Sequence, residues 1–271
     1  MNYVLLYGQI LLYTLGVPVI CGLVVGLCHK IMSLLMGRGF GRGLILTTSI
    51  IGTPIHELGH AIMCLVFFHK IDRMVLWQPS SKDGTLGFVT HRYHPKNPYH
   101  RLGNIFIGLG PIFSGLGVMT LCMLICFPET LQSYTVAAET LVSDQAGFLP
   151  LLKEGAQMLP DLITEWSDGA VPLWGRIIGV IVMLAVSLHI SLSPADIRGS
   201  LDGIPVYLVL TLLATVIVSL VGTAAMDATV AMLQMFSAAT FALFMLVFVL
   251  ALVQIVFGMV IFLIRTVLHL K

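Results

Sequence analysis

Apolar residues run along this chain in blocks too long for the amphipathic elements of a soluble domain. Six blocks approach or exceed the ~20 residues that a helix needs to cross the hydrocarbon core of a bilayer: residues 4–27, 44–68, 104–127, 173–192, 204–225 and 231–264. The last is long enough to tilt or overhang. Between the second and third blocks the pattern changes to short runs rich in Val, Phe, Thr and Tyr. Ile71–Trp77 and Thr85–Tyr93 flank the turn-forming stretch Pro79–Gly84, which predicts a β-hairpin over residues 71–93. Residues 128–171 predict an outer loop with two short amphipathic helices, 131–142 and 149–166, broken by Gly147 and Pro160. No repeat is visible. The expected fold is an all-α polytopic membrane protein of about six transmembrane helices, with one hairpin, forming a single domain over residues 1–271.

Composition strengthens this reading. Hydrophobic residues make up 58% of the chain, charged residues 10%, and mean hydropathy is +0.99, whereas soluble domains carry about 25% charged residues. A net charge of +1 without a long basic run excludes nucleic acid as a partner. The five cysteines (Cys21, Cys28, Cys64, Cys122, Cys126) lie in or beside apolar blocks with no CxxC pair, and read as packing residues. The first block has no basic leader and is longer than the ~7–15 residue core of a signal peptide, so it is expected to stay as a span.

Charge asymmetry then predicts orientation. Residues 69–103 carry six basic side chains (Lys70, Arg73, Lys82, Arg92, Lys96, Arg101), while residues 128–171 carry seven acidic ones and only Lys153. Basic loops stay in the cytoplasm. Alternation across six spans therefore places the hairpin, Arg198, Arg265, Lys271 and both termini inside, with Lys30, Arg38 and Arg42 running against the trend. With no organelle-targeting segment, a bacterial cytoplasmic membrane is the simplest location.

Into the second block is set His56-Glu57-Leu58-Gly59-His60. An Asp or Lys at the centre of a spanning helix costs ~2.5–3.5 kcal/mol by insertion scales, so three ionisable groups in five residues demand compensation. A bound cation would supply it, and a metal site is favoured over a buried polar cluster. Residues four apart share a helix face, so His56 and His60 can hold one metal with Glu57 beside them. A catalytic zinc takes three protein ligands and a water. Acids at membrane depth after the motif reduce to Asp196 and Asp202, both just past the fourth block. Asp196 is favoured and Asp202 is the alternative, since Leu201-Asp202-Gly203 is itself a plausible ligand-bearing turn. His189, seven residues before Asp196 and nearly on the same face of a continued helix, is expected to hydrogen-bond a ligand rather than bind metal, or else to be a packed core histidine. Asn104 is a candidate for binding substrate backbone, or else a polar helix-packing residue. His91, His94 and His100 read as solvated surface.

These residues resemble the site-2 protease family of intramembrane zinc metalloproteases, and the similarity runs from about Leu44 to Gly203. His56-Glu57-Leu58-Gly59-His60 matches the family's metal motif, and Gly110-Pro111-Ile112-Phe113-Ser114 resembles its Gly-Pro-x-x-Asn element with Ser114 in place of Asn. The family's usual Asn-Pro-x-Asp-Gly or Leu-Asp-Gly setting favours Asp202. The run Ser187-Leu188-His189 to Ser193-Pro194-Ala195-Asp196 is similar to compact bacterial relatives and favours Asp196. The resemblance implies one Zn²⁺ per chain, Glu57 as general base, and hydrolysis of peptide bonds within or next to transmembrane segments of membrane-protein substrates in the lipid bilayer. It also implies a hairpin dipping toward the active site, whose edge could hold the substrate as an added strand. No PDZ-like insertion is present. Two other readings compete. A prenyl-protein-processing metalloprotease needs a Glu ligand on a later helix, yet no intramembrane Glu other than Glu57 is evident; a non-enzymatic scaffold or metal transporter predicts that Glu57 is dispensable.

Overall fold

A computed structural model describes residues 3–80, 84–143 and 148–267. The expected turn residues Ser81–Asp83, the loop break at Gly147, and Asp144 and Lys271 lie outside the described residues. Helices α1 (Tyr3–Leu11) and α2 (Val17–Val66) are joined by one π-helical turn, Leu12–Gly16. As a straight rod the 50 residues of α2 would extend ~75 Å, far beyond a bilayer core of ~30 Å. The helix folds back instead. A Cβ on Gly41 would lie 3.3 Å from the carbonyl oxygen of Ser33, eight residues earlier, whereas a straight helix would separate the two by ~12 Å. Gly41, which has no Cβ, permits this close approach. It yields two apolar arms, Tyr3–Met36 and Gly41–Val66, where the sequence reading expects a loop between two spans.

The second arm ends in a Schellman cap. Phe68 takes a left-handed φ of 56°, and the amides of Phe68 and His69 donate to the carbonyls of Leu65 (3.2 Å) and Cys64 (2.8 Å). That cap starts the hairpin. Strand β1 (Lys70–Val75) pairs antiparallel with β2 (Phe88–Arg92), Lys70 opposite Arg92 and Val75 opposite Phe88, with a bulge between Ile71 and Arg73. Beyond the strands the hairpin continues along the second arm, because the Trp77 indole donates to Ser49 Oγ at 2.9 Å. Ser49 lies about 25 Å back along the helix from Val66 at 1.5 Å per residue. Backbone outside a helix survives at that depth where it is buried in protein or lines a polar cavity.

Helix α3 (Pro98–Cys126) is capped by the Asn97 side chain, which accepts from the Tyr99 amide. It meets α2 backbone to backbone: a Cβ on Gly59 would strike the Gly110 carbonyl, and one on Gly110 would lie 2.5 Å from the Gly59 oxygen. Small residues allow helices in a membrane to approach in this way. Helices α4 (Pro128–Ser143) and α5 (Phe148–Asp168) follow; α5 runs through Pro160, which the sequence reading takes as a break. Helix α6 (Leu173–Ser187) precedes an irregular stretch, then α7 (Pro194–Ser200), a 3-10 turn over Leu201–Gly203, α8 (Ile204–Val221) and α9 (Thr223–Val267). Gly222, at φ 126°, separates the last two.

The chain is therefore an all-α membrane protein with a small two-stranded sheet. Among the described residues, five segments are long and apolar enough to cross a bilayer: Tyr3–Met36, Gly41–Val66, Pro98–Cys126, Pro194–Val221 and Thr223–Val267. The expected span over residues 173–192 contains a helix of only 15 residues, about 22 Å long. Apolar residues continue beyond it as Leu188, Ile190 and Leu192, but the backbone there leaves the helix. The C-terminal end of α9 also departs from expectation. Arg265 Nη1 donates to the Met36 carbonyl at 2.8 Å, so that end sits at the α2 reversal, at the far end of the second arm from the hairpin. Asp202, bound by Arg101, still lies at the hairpin end, so the departure arises beyond it, in α8 and the 45-residue α9.

Candidate metal centre

His56 and His60 project from one face of the second arm, with ring centroids 5.0 Å apart. Each ring is oriented by a backbone carbonyl: His56 Nδ1 lies 2.9 Å from the His189 oxygen, and His60 Nδ1 lies 2.7 Å from the Ile107 oxygen. A carbonyl only accepts, so each Nδ1 carries the hydrogen and each Nε2 keeps a lone pair. Both carbonyls are free for a local reason. Pro111, four residues after Ile107, has no N–H to close the helical bond. His189 lies beyond the last residue of α6, and its oxygen has left the helical ladder.

Asp196 faces the two lone pairs. Its Oδ1 is 3.3 Å from His60 Nε2 and its Oδ2 is 3.9 Å from His56 Nε2, and one ligand atom from each of the three residues lies within 4.8 Å of the others. Ligand atoms around one tetrahedral zinc, each ~2.0–2.2 Å from the ion, stand ~3.3 Å apart. The residues present fit that group. Asp196 is held by a capping box at the start of α7: Ser193 Oγ accepts the Asp196 amide at 3.1 Å, and Asp196 Oδ2 accepts the Ser193 amide at 2.8 Å. The expected shared helical face of His189 and Asp196 does not exist, because the helix ends between them. The cap does that work instead.

Asp202, the alternative ligand, is engaged elsewhere. Arg101 binds its carboxylate at 3.2 Å and its backbone oxygen at 3.0 Å, and the Tyr93 hydroxyl donates to Oδ2 at 3.0 Å. Asn104 is buried and directs Nδ2 toward the same carboxylate at 3.4 Å, a long contact, while also lining the cavity above the metal motif. The His189 ring packs over Gly52 and meets Thr48 Oγ1 at 3.3 Å, so its link to His56 runs through its backbone, whereas the sequence reading expects a side-chain hydrogen bond. Ser114 donates to the Ile55 carbonyl at 2.8 Å, tying α3 to the residue before His56.

A cavity of about 700 Å³ opens onto these groups. Glu57, 6% exposed, stands in its wall with His56, His60, Asp196 and Asn104, and the hairpin closes the opposite side through Gly84–Val89 and His91. The hairpin lies close over the motif: a Cβ on Gly87 would be 2.8 Å from Glu57 Cγ and 2.8 Å from Thr53 Cγ2. Thr53 Oγ1 is buried without a partner in the same wall, an arrangement that calls for a water or a substrate polar group. The Ile107 and His189 carbonyls and the Ser193 cap escape sequence reasoning, although Pro111 and Pro194 mark where two of them arise. No family model, curated protein or solved structure matches the chain.

Proposed function

We propose that this chain is an intramembrane zinc metalloprotease of the site-2 type, cleaving peptide bonds within or next to transmembrane segments of membrane-protein substrates. One observation carries the reading: two carbonyls take the Nδ1 hydrogens of His56 and His60, leaving both Nε2 lone pairs aimed at the Asp196 carboxylate. His56, His60 and Asp196 are the residues that would hold Zn²⁺. Bound there, zinc supplies a Lewis acid for the scissile carbonyl and brings the pKa of a water toward ~7. Glu57, next to a ligand in the cavity wall, accepts a proton from the attacking water and passes it to the leaving amine. Asn104 and Thr53 offer polar groups to an extended substrate, and the outer edge of the hairpin offers a backbone ladder to it. The basic hairpin segment supports a cytoplasmic opening, in a bacterial cytoplasmic membrane.

A prenyl-processing site draws no support, since the clustered acid is Asp196 and, among the described residues, no second Glu joins the histidines. Wild type and Glu57→Gln, co-expressed with a panel of tagged single-span membrane proteins, test the reading. General-base loss predicts a fall of about 10²–10⁴-fold in cleavage. Equal product from both proteins would sink the protease assignment and favour a scaffold or transporter.

A further inference from the structure

Where the hairpin joins α2, His91 and His100 gather around the buried ring of His69. His69 is 4% exposed and packs against Gly103, with Tyr93 stacked on its ring at 5.0 Å and His100 at 5.4 Å. Its Nε2 lies 2.8 Å from the His100 carbonyl and its Nδ1 lies 3.0 Å from Nδ1 of His91. Those two distances fix the hydrogens. A carbonyl only accepts, so Nε2 of His69 is the donor and, in the neutral ring, Nδ1 is the acceptor. His91 Nδ1 must then be a donor, which leaves a lone pair on His91 Nε2. His91 lines the same cavity as Glu57.

This arrangement has an unusual proton capacity. When His91 Nε2 takes a proton, the hydrogen on its Nδ1 can pass to Nδ1 of His69, and the N–H···N contact survives with the roles exchanged. A second proton leaves two N–H groups facing each other and breaks the contact. We propose that His69 and His91 form a one-proton exchange unit that meets the cavity through His91, takes up the second proton of the hydrolytic water and, when doubly protonated, releases β2 from the end of α2. The first part rests on the protease reading. Peptide hydrolysis divides water so that one proton reaches the leaving amine and one is given up by the new carboxylic acid. Glu57 accounts for the first. His91 Nε2 takes the second and returns it to solvent or product amine, so that the pair ends as it began.

Surrounding groups agree with a pair that is neutral at rest. Burial holds His69 below the ordinary histidine value of 6.5, partly opposed by its bond to the His100 carbonyl and reinforced by the His100 ring. Burial also lowers His91, with His69 and His60 adding to the effect and Asp72 opposing it. The unfolded root therefore takes up protons at higher pH than the docked one. The stability that these shifts contribute to docking is fully present above 6.5 and is lost as pH falls through the lower values of the docked pair.

The test is nitrogen NMR of the full-length protein with isotope-labelled histidine in lipid nanodiscs, the two signals assigned with His69→Gln and His91→Gln. A scalar coupling between the two Nδ1 atoms is expected at neutral pH, persisting as the pair takes one proton and vanishing with the second. Absence of the coupling at neutral pH, or two independent titrations at the ordinary histidine value, would overturn the pair. This readout needs no cleavage, so it stands apart from the protease reading. In the cleavage assay, His91→Gln is expected to lose at least about tenfold in rate and the acid limb of the pH profile with zinc content unchanged. An unaltered profile would overturn the role in proton transfer.

Discussion

At the two motif histidines, what lies behind the ring matters as much as what lies in front. His56 and His60 stand four residues apart, a local relation that the sequence displays directly. Their tautomers depend on Ile107 and His189, which are remote in the chain and act through backbone oxygens; only Pro111 hints at either. The choice between Asp196 and Asp202 was likewise open, because both follow the same apolar block. Arg101 and Tyr93 hold Asp202, and the Ser193 cap turns Asp196 toward the histidines. Two substitutions separate these roles. Asp202→Ala is expected to keep zinc while loosening the hairpin end against α3, and His189→Ala is expected to keep zinc because its carbonyl remains. Metal analysis of the purified variants checks both, and zinc loss in Asp202→Ala alone would reverse the ligand assignment.

Element by element, legibility followed locality. Long apolar runs announce spanning helices, and the Val, Thr and aromatic runs around Pro79–Gly84 announce a hairpin. The depth of that hairpin is not announced, since it depends on Trp77 reaching Ser49 and on Gly87 fitting over Glu57. The end of α6 is masked in the sequence by three further apolar residues, and the reversal of α2 by its helical character on both sides. The placement of the C-terminal end of α9 arises after Asp202, which Arg101 still holds at the hairpin end. With Arg265 bound to the Met36 carbonyl, a thiol at Val267→Cys is expected to react from the face opposite to that which exposes Lys96→Cys, in sealed vesicles with a membrane-impermeant reagent. Labelling of both from one side would contradict the described packing of α9.

As a whole molecule the chain surrounds a small polar chamber with lipid-facing helices. The second arm of α2 supplies two histidines and Glu57, α3 supplies a carbonyl and close contact, α7 supplies a capped carboxylate, and the hairpin supplies the remaining wall. Three ionisable groups inside a spanning helix are tolerable when each is hydrogen-bonded or shares a cation. The pairing of two preset lone pairs with one carboxylate is what makes the cation the central claim. Metal content of the purified protein tests that claim most directly. One zinc per chain is predicted for wild type and Glu57→Gln, and none for Asp196→Ala; a metal-free wild type under zinc-replete expression, or full zinc in Asp196→Ala, would contradict it.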